Sequence, residues 1–470
     1  MSTVILYTSA LLAVAVVVLM LIKKMDIKIT LFFIGVLLMF VAMGMGNEIA
    51  IKEFESTGVR LLDPLKAIAD QFKSIITSSG FIILILGGYS SYMSHIKAND
   101  VTVSLLTKPI KKIKSVYILV PVVFLLGNLL SLVIPSASNL SIILLATLYP
   151  IMVQSGMTAL TAGAIIATTA TIIPTPLGSD NVAIAAELAN TPEFAGLTAS
   201  DYVFKYHALV SIPTLLFMAV VHYIWQKFCD KKVQGIDETV EVKKIEEING
   251  SALYKLVYGL LPLLPILMLI GVFFLQSISN VQITLSVEVA VLFAVVIAIF
   301  CELIRTRDGR GTLDGTEAFF KGMGSALPIV ALLVAGTIFV TGLQSIGIIR
   351  ELQESMTNLQ GSGMGFVLPL LLVLLTVLIV ILSGSGTALF FAMVPLMVPL
   401  AQAAGISVLA ISVPMGLAGN LLRAVSPVSA VIMIVAGTLK KEPLELVKRT
   451  SVPMIAGVIF MFVLTMIMFL

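Results

Sequence analysis

The chain has 470 residues, of which 59% are apolar and 12% are charged, and its mean hydropathy is +1.09. Soluble domains carry about 25% charged residues, so this composition excludes a water-soluble protein. The net charge of +3 does not indicate a nucleic-acid partner, and two cysteines and three scattered histidines predict no metal or cofactor site. Long uncharged runs predict an all-α polytopic protein of the lipid bilayer.

Apolar segments of spanning length follow one another along the chain. The first, Val4–Ile22, has no basic residue before it and two lysines after it, which favours a retained helix over a signal peptide. The other segments of the first half are Ile29–Gly46, Ser78–His95, Val116–Ile134, Leu140–Gln154, Thr158–Asn190 and Val203–Trp225. Those of the second half are Leu256–Gln276, Thr284–Leu303, Met323–Thr341, Met364–Leu382, Ala388–Ala401, Ser407–Gly437 and Ser451–Leu470.

The polar stretch 227–255, rich in Lys and Glu, predicts a linker between the two halves. Threading the spans with the N-terminus outside places this linker and most of the 29 Lys and Arg residues in the cytoplasm. Cytoplasmic loops of membrane proteins carry such an excess of basic residues, so the bias predicts the orientation.

The two halves, residues 1–226 and 256–470, repeat one pattern. Each has three spans, two apolar legs around a Ser-rich break, an interrupted span and a last span. One constant shift aligns Ser136-Ala137-Ser138 with Ser385-Gly386-Thr387, and Pro150 and Gly156 with Pro399 and Gly405. Each half crosses the membrane an odd number of times, which predicts two inverted repeats, an architecture typical of secondary transporters.

Each repeat is predicted to break twice within an uncharged stretch. The Ser-rich breaks at 135–139 and 383–387 are either turns at the surface or tips of re-entrant hairpins, and their repetition favours hairpins. Pro and Gly predict unwound segments at 173–181 and 419–427. Irregular backbone at membrane depth lines a cavity or is buried in protein, and exposed helix N-termini suit carboxylates.

We therefore expect the four breaks to converge on an anionic solute. The candidate substrate-binding residues are Ser136, Ser138, Asn139, Thr175, Gly178, Ser179, Ser385, Gly386, Thr387, Asn420, Arg423 and Ser426. An arginine at mid-membrane is costly, so Arg423 either clamps a substrate carboxylate or pairs with Asp180 of the other repeat. The three histidines, His95, His207 and His222, are expected in interfacial or packing roles.

Four segments in chain order resemble anaerobic four-carbon dicarboxylate carriers of the DcuC type. They are GYSSYMSHIKAND at 88–100, LATLYPIMV at 145–153, LRAVSPVS at 422–429 and VKRTSVP at 447–453. The resemblance implies transport of succinate, fumarate and malate across the inner membrane of anaerobically growing bacteria. It also implies the ion-transporter superfamily, whose divalent-anion members are homodimers with two inverted repeats and an elevator-type motion.

By that resemblance, the scaffold is formed by spans within 1–115 and 256–342. The moving part is formed by the hairpins and broken helices of 116–226 and 364–437, and the last span is 451–470. Sodium-coupled relatives carry Ser-Asn-Thr at both hairpin tips, whereas this chain has Ser138-Asn139-Leu140 and Ser385-Gly386-Thr387. The coupling ion, proton or sodium, therefore stays open, with Asp180 as the first candidate for a proton carrier.

The predicted function is secondary active transport of small dicarboxylates by alternating access, as symport or exchange. No Gly-x-x-x-x-Gly-Lys-Ser/Thr motif occurs, which disfavours a primary pump. An amino-acid or other carboxylate carrier of the same fold is the main alternative, because Asp180 offers a partner for an ammonium group. An intramembrane enzyme is disfavoured because no span carries a His-Glu-x-x-His motif or paired catalytic aspartates, and a channel fits the broken inverted repeats less well.

Overall fold

The computed structural model describes residues 2–23, 25–51, 54–113, 115–231, 250–278, 283, 285–348, 350–351 and 365–470. Within these ranges the regular secondary structure is entirely helical. Nine helical segments of the described chain are long and apolar enough to cross a membrane by length and composition. The prediction of a polytopic helical membrane protein is thereby confirmed. Residues 232–249, the middle of the predicted linker at 227–255, lie outside the described residues.

Twelve helices are described in the first half, up to the linker. They are α1 (Ser2–Ile22), α2 (Ile27–Gly44), α3 (Asp63–Ile75), α4 (Phe81–His95), α5 (Ala98–Thr107), α6 (Val116–Leu130), α7 (Ala137–Thr147), α8 (Tyr149–Gln154), α9 (Ala159–Ala167), α10 (Ser179–Leu188), α11 (Ala199–Tyr202) and α12 (Ala208–Lys231). Two π-helical turns, Ile76–Gly80 and Val203–His207, lead into α4 and α12.

Ten helices are described in the second half. They are α13 (Ala252–Leu260), α14 (Leu264–Ile278), α15 (Val287–Thr306), α16 (Gly309–Gly315), α17 (Glu317–Ser345), α18 (Val367–Ser383), α19 (Thr387–Ala404), α20 (Leu409–Leu422), α21 (Ala430–Leu439) and α22 (Pro443–Phe469).

The long helix α17 packs against α2, α3, α4 and α19. Its approach to α4 is very close, because a Cβ on Gly322 would lie 2.5 Å from the carbonyl oxygen of Gly87. Small residues allow such backbone contact between membrane helices, where dispersion forces and not water exclusion hold helices together. Helix α17 therefore joins the early spans of the first half to α19.

Both predicted Ser-rich breaks separate two apolar helices. In the first half α6 and α7 flank the break, and in the second half α18 and α19 do. The second leg of the first pair, predicted as one segment, is divided into α7 and α8 at Leu148, just before Pro150. Proline removes a backbone donor, which accounts for the division.

Both interrupted spans are broken, although at bounds that differ from those predicted. In the first span α9 ends at Ala167 and α10 begins at Ser179, so the break starts earlier than expected and Asp180 lies in the first turn of a helix. In the second span α20 continues through Gly419 to Leu422, and the break comes after it. Glycine weakens a helix but does not end one that is packed on all sides, and most of α20 is buried.

Candidate functional site

One cavity of about 660 Å³ lies where the two Ser-rich breaks and the two interrupted spans meet. Most of the predicted site residues line it, and they come from both halves of the chain. These residues are Ser136, Asn139, Thr175, Gly178, Ser179, Asp180, Gly386, Thr387, Asn420 and Arg423. Helices α4 and α17 supply further wall residues, including Tyr89, Ser90 and Ser325. Segments far apart in sequence therefore line one cavity.

Three predicted site residues, Ser138, Ser385 and Ser426, are not among the residues that line this cavity. Ser426 is fully buried, and its hydroxyl donates to the carbonyl oxygen of Ile381 at 2.8 Å. This bond joins the segment that follows α20 to helix α18. The side chain of Ser385 accepts from the Thr387 N–H at 3.4 Å, within the tip itself. The hydroxyls of Ser385 and Ser426 thus bond to backbone groups, a role that sequence spacing alone does not distinguish from a role in the cavity.

Three helices have their N-terminal caps on the cavity wall. The cap residues are Ser136 of α7, Gly178 of α10 and Gly386 of α19. The Ser136 side chain accepts from the Asn139 N–H, whereas neither glycine supplies a side-chain cap. The first N–H groups of a helix lack intrahelical partners, and the helix dipole favours negative charge there. The cavity is therefore suited to carboxylates.

Asn420 lies between the two opposite charges of the cavity. Its side-chain amide donates to Oδ2 of Asp180 at 3.0 Å, and its Oδ1 accepts from the Arg423 guanidinium at 2.5 Å. No direct ion pair between Asp180 and Arg423 occurs in this described part of the chain. Asp180 and Arg423 are thus linked through Asn420 and not by a direct ion pair. This arrangement leaves other guanidinium N–H groups of Arg423 for a ligand.

The tip between α18 and α19 touches helix α20 through glycine. A Cβ on Gly386 would lie 2.8 Å from the Cα of Gly419, so no larger residue fits without displacing one backbone. Gly384 in the same tip has a φ of 81°, in the left-handed region that favours glycine. The tip is therefore held against α20 by direct backbone contact.

The unwound segment between α9 and α10 is bonded to nearby asparagine side chains. Oδ1 of Asn128, in α6, accepts from the backbone N–H of Thr171 at 3.0 Å and from its hydroxyl at 2.7 Å. On the far side of the break, Asn181 donates to the carbonyl oxygen of Thr175 at 2.9 Å. Unwound backbone away from water needs such partners, because unpaired polar groups are costly there.

Sequence reasoning missed two features. His207 lines the cavity, although it was expected in a packing or interfacial role. It ends the π turn Val203–His207, and no sequence signal predicts such a turn or the change of helix face it causes. Arg449, expected in a loop before a last span at 451–470, lies inside α22 and forms a buried ion pair with Asp230.

Comparison with known proteins now identifies the relatives of this chain. The family model for the C4-dicarboxylate anaerobic carrier DcuC matches residues 6–470. The chain belongs to the DcuC family. The resemblance seen in the sequence is thereby confirmed, and because this is a family of transporters and not of enzymes, so is the prediction that the chain is not an enzyme.

Individual relatives of the DcuC family match over nearly the whole chain. The anaerobic C4-dicarboxylate transporter DcuC of Escherichia coli O6:H1 is 35% identical, over 93% of this chain and 91% of that protein. The probable anaerobic C4-dicarboxylate transporter DcuC of Vibrio cholerae serotype O1 is 36% identical, over 92% and 91% respectively. Among solved structures, the YdaH transporter of Alcanivorax borkumensis superposes with a TM-score of 0.62 and 16% identity, covering 94% of this chain and 97% of that one. At this identity the likeness concerns the fold.

Proposed function

We propose that this protein is a secondary active transporter of small dicarboxylates such as succinate, fumarate and malate. It works by alternating access in the bacterial inner membrane. The observation that carries the proposal is the convergence of three helix N-termini and Arg423 on one cavity. Membership of a family of dicarboxylate carriers supports the same substrate class.

Charge accounting within the cavity favours binding by neutral donors together with Arg423. Asp180 and Arg423 offset each other through Asn420, so the site does not present a large positive charge. A dianion is then held by hydroxyls, amides and helix N-termini, including Ser136, Ser179 and Thr387, with Arg423 at one carboxylate. Such donors are preorganised because helix ends and caps fix their directions.

The proposed architecture is two inverted repeats, each with a re-entrant hairpin and an interrupted helix. Helices α6 and α7, of 15 and 11 residues, are shorter than the roughly 20 residues that cross a bilayer. The aligned residues Gly156 and Gly405 both adopt left-handed backbone, with φ of 92° and 63°, after the second leg of each hairpin. These matching details support the repeat. We extend the proposal to a homodimer in which hairpins and broken helices move against a scaffold.

We propose Asp180 as the group that couples transport to an ion gradient. Its carboxylate lies in the cavity and contacts Arg423 through Asn420, so binding of a cation or proton at Asp180 would change how Arg423 is held. This link gives a route by which substrate and ion sense each other. The choice between proton and sodium, and between symport and exchange, is left to the transport assay.

The test is transport of labelled succinate by purified protein in proteoliposomes. We expect saturable transport that unlabelled fumarate and malate compete with and that butyrate, with one carboxylate, does not. A proton gradient and a sodium gradient are imposed in turn in the same assay. The gradient that changes the rate of succinate transport identifies the coupling ion.

The second candidate is an amino-acid carrier, favoured by the carboxylate of Asp180 in the cavity, which would pair with an ammonium group. Transport of labelled alanine or serine that unlabelled succinate does not inhibit, with no transport of labelled succinate, would overturn the dicarboxylate proposal in favour of this candidate.

A further inference from the structure

His207 is a buried residue of the cavity wall. Only 3% of the residue is exposed, yet it lines the same cavity as Asp180, Asn420 and Arg423. It ends the π turn Val203–His207, a distortion that is frequent at functional sites in helices. The other buried histidine of this region, His222, lies further along α12 and is not a residue of the cavity wall.

The hydrogen bond of the His207 ring fixes which nitrogen carries the proton. Nδ1 lies 3.0 Å from the hydroxyl oxygen of Ser211, one helical turn further on. Ser211 is fully buried, and its hydroxyl makes no other hydrogen bond with the described residues. If Nδ1–H donated to Ser211, the serine hydrogen would be buried without an acceptor, at a cost of about 1–3 kcal/mol. The favoured arrangement is therefore donation from Ser211 to Nδ1, which places the ring hydrogen on Nε2.

Nε2 then has a hydrogen to donate and makes no hydrogen bond with any described residue. The ring itself is held, because Tyr202 packs against it edge to face at 6.2 Å between ring centroids. His222 differs: its ring packs on Phe124 at 4.8 Å, and its Nε2 is buried without a partner. Only the His207 ring combines a fixed orientation, a free donor and a place in the cavity wall.

We propose that His207 contacts the transported dicarboxylate, with Nε2–H donating to a carboxylate oxygen. This inference rests on the proposed function and names a residue of the same site. A neutral imidazole suits the task, because it adds a donor without adding charge to a cavity in which Asp180 and Arg423 already offset each other. Hydrogen bonds to an ionised acceptor are about twice as strong as those between neutral groups.

The first experiment compares His207→Leu with His222→Leu in the succinate transport assay. Loss of a hydrogen bond to a charged group predicts a rise of about tenfold in KM for His207→Leu, with a smaller effect on kcat. His207→Gln, which keeps an amide N–H near the position of Nε2, is expected to recover much of the affinity. His222→Leu is the control, and its KM is expected to stay within about twofold of the wild-type value.

A second experiment does not depend on transport by the variant. His207→Cys, in a chain with Cys229 and Cys301 replaced by serine, is labelled with a small thiol reagent in the presence and absence of succinate. We expect succinate to slow labelling at position 207, while butyrate does not. Labelling of a His222→Cys control is expected to be insensitive to succinate.

An unchanged KM for His207→Leu together with labelling at 207 that succinate does not slow would overturn the inference. If His207→Leu does not fold, the labelling experiment decides alone. Failure of the proposed function has a different signature, since the wild-type protein itself would then not transport succinate. That result would overturn both proposals.

Discussion

Asn420 is the residue that sets the electrostatics of the cavity. By accepting from Arg423 and donating to Asp180, it separates two charges that would otherwise attract each other directly. A direct ion pair would occupy the guanidinium, whereas the amide bridge leaves N–H groups of Arg423 able to bind a carboxylate. The position of the Asn420 amide thus determines whether Arg423 pairs with Asp180 or is available to a ligand.

Asp230 and Arg449 form a buried ion pair outside the cavity. Their charged atoms lie 2.6 Å apart, with side-chain exposures of 8% and 6%, and the hydroxyl of Thr161 donates to the same carboxylate. The pair joins α9, α12 and α22. Because removal of one partner leaves the other charge buried and uncompensated, we predict that Asp230→Asn lowers the free energy of unfolding by about 3–5 kcal/mol.

The measurement is thermal or denaturant unfolding of the purified protein in detergent. Glu317→Gln is the matched control, because its ion pair with Lys321 is exposed on both sides and should contribute less than about 1 kcal/mol. An equally small decrease in the free energy of unfolding for both variants would contradict the buried ion pair between Asp230 and Arg449.

Among the elements, the tip between α18 and α19 is the most tightly constrained. Gly386→Ala would put a Cβ 2.8 Å from the Cα of Gly419, which must push the tip away from α20. We predict that this variant stays folded but loses at least tenfold in transport rate, because the N-terminus of α19 leaves its place in the cavity wall. Transport in proteoliposomes, with unfolding measured on the same preparation, checks the prediction.

Gly437→Ala in α21 is the control for a helical glycine with open space, since nothing lies within 4 Å of the added Cβ. It should transport like the wild type and be slightly more stable, because alanine favours a helix by about 1 kcal/mol over glycine. Full activity in Gly386→Ala would contradict the close packing of tip and helix.

At the scale of the molecule, hydropathy predicts the spans well and their internal breaks poorly. The composition and the long apolar runs were sufficient to predict a polytopic helical protein. Both ends of α2, and the C-terminal end of α14, lie two residues from the predicted ends of their spans. The bounds of the breaks were not predictable, because packing decides whether a glycine or proline ends a helix. Buried α20 continues through Gly419 for that reason.

Nine of the twelve candidate binding positions, together with Asp180, line the cavity, whereas Ser138, Ser385 and Ser426 lie outside its wall. The nine could be proposed from the sequence because Ser, Asn, Thr and Gly recur at the breaks of both halves. Hydroxyls that cap backbone and hydroxyls that face a cavity look alike in sequence. His207 was missed for the opposite reason, since a π turn rotates it to a face that regular helical spacing does not give. Such distortions arise from tertiary contacts.

In the proposed site, Arg423 is the group that binds a carboxylate of the substrate. The most direct test of this role is the equilibrium affinity for succinate of the wild type, Arg423→Gln and Arg423→Lys, measured on folded protein. We predict a loss of about 10- to 100-fold in Arg423→Gln, with incomplete recovery in Arg423→Lys because an ammonium lacks the bidentate geometry of a guanidinium. An Arg423→Gln protein that is folded and binds succinate as tightly as the wild type would contradict the account.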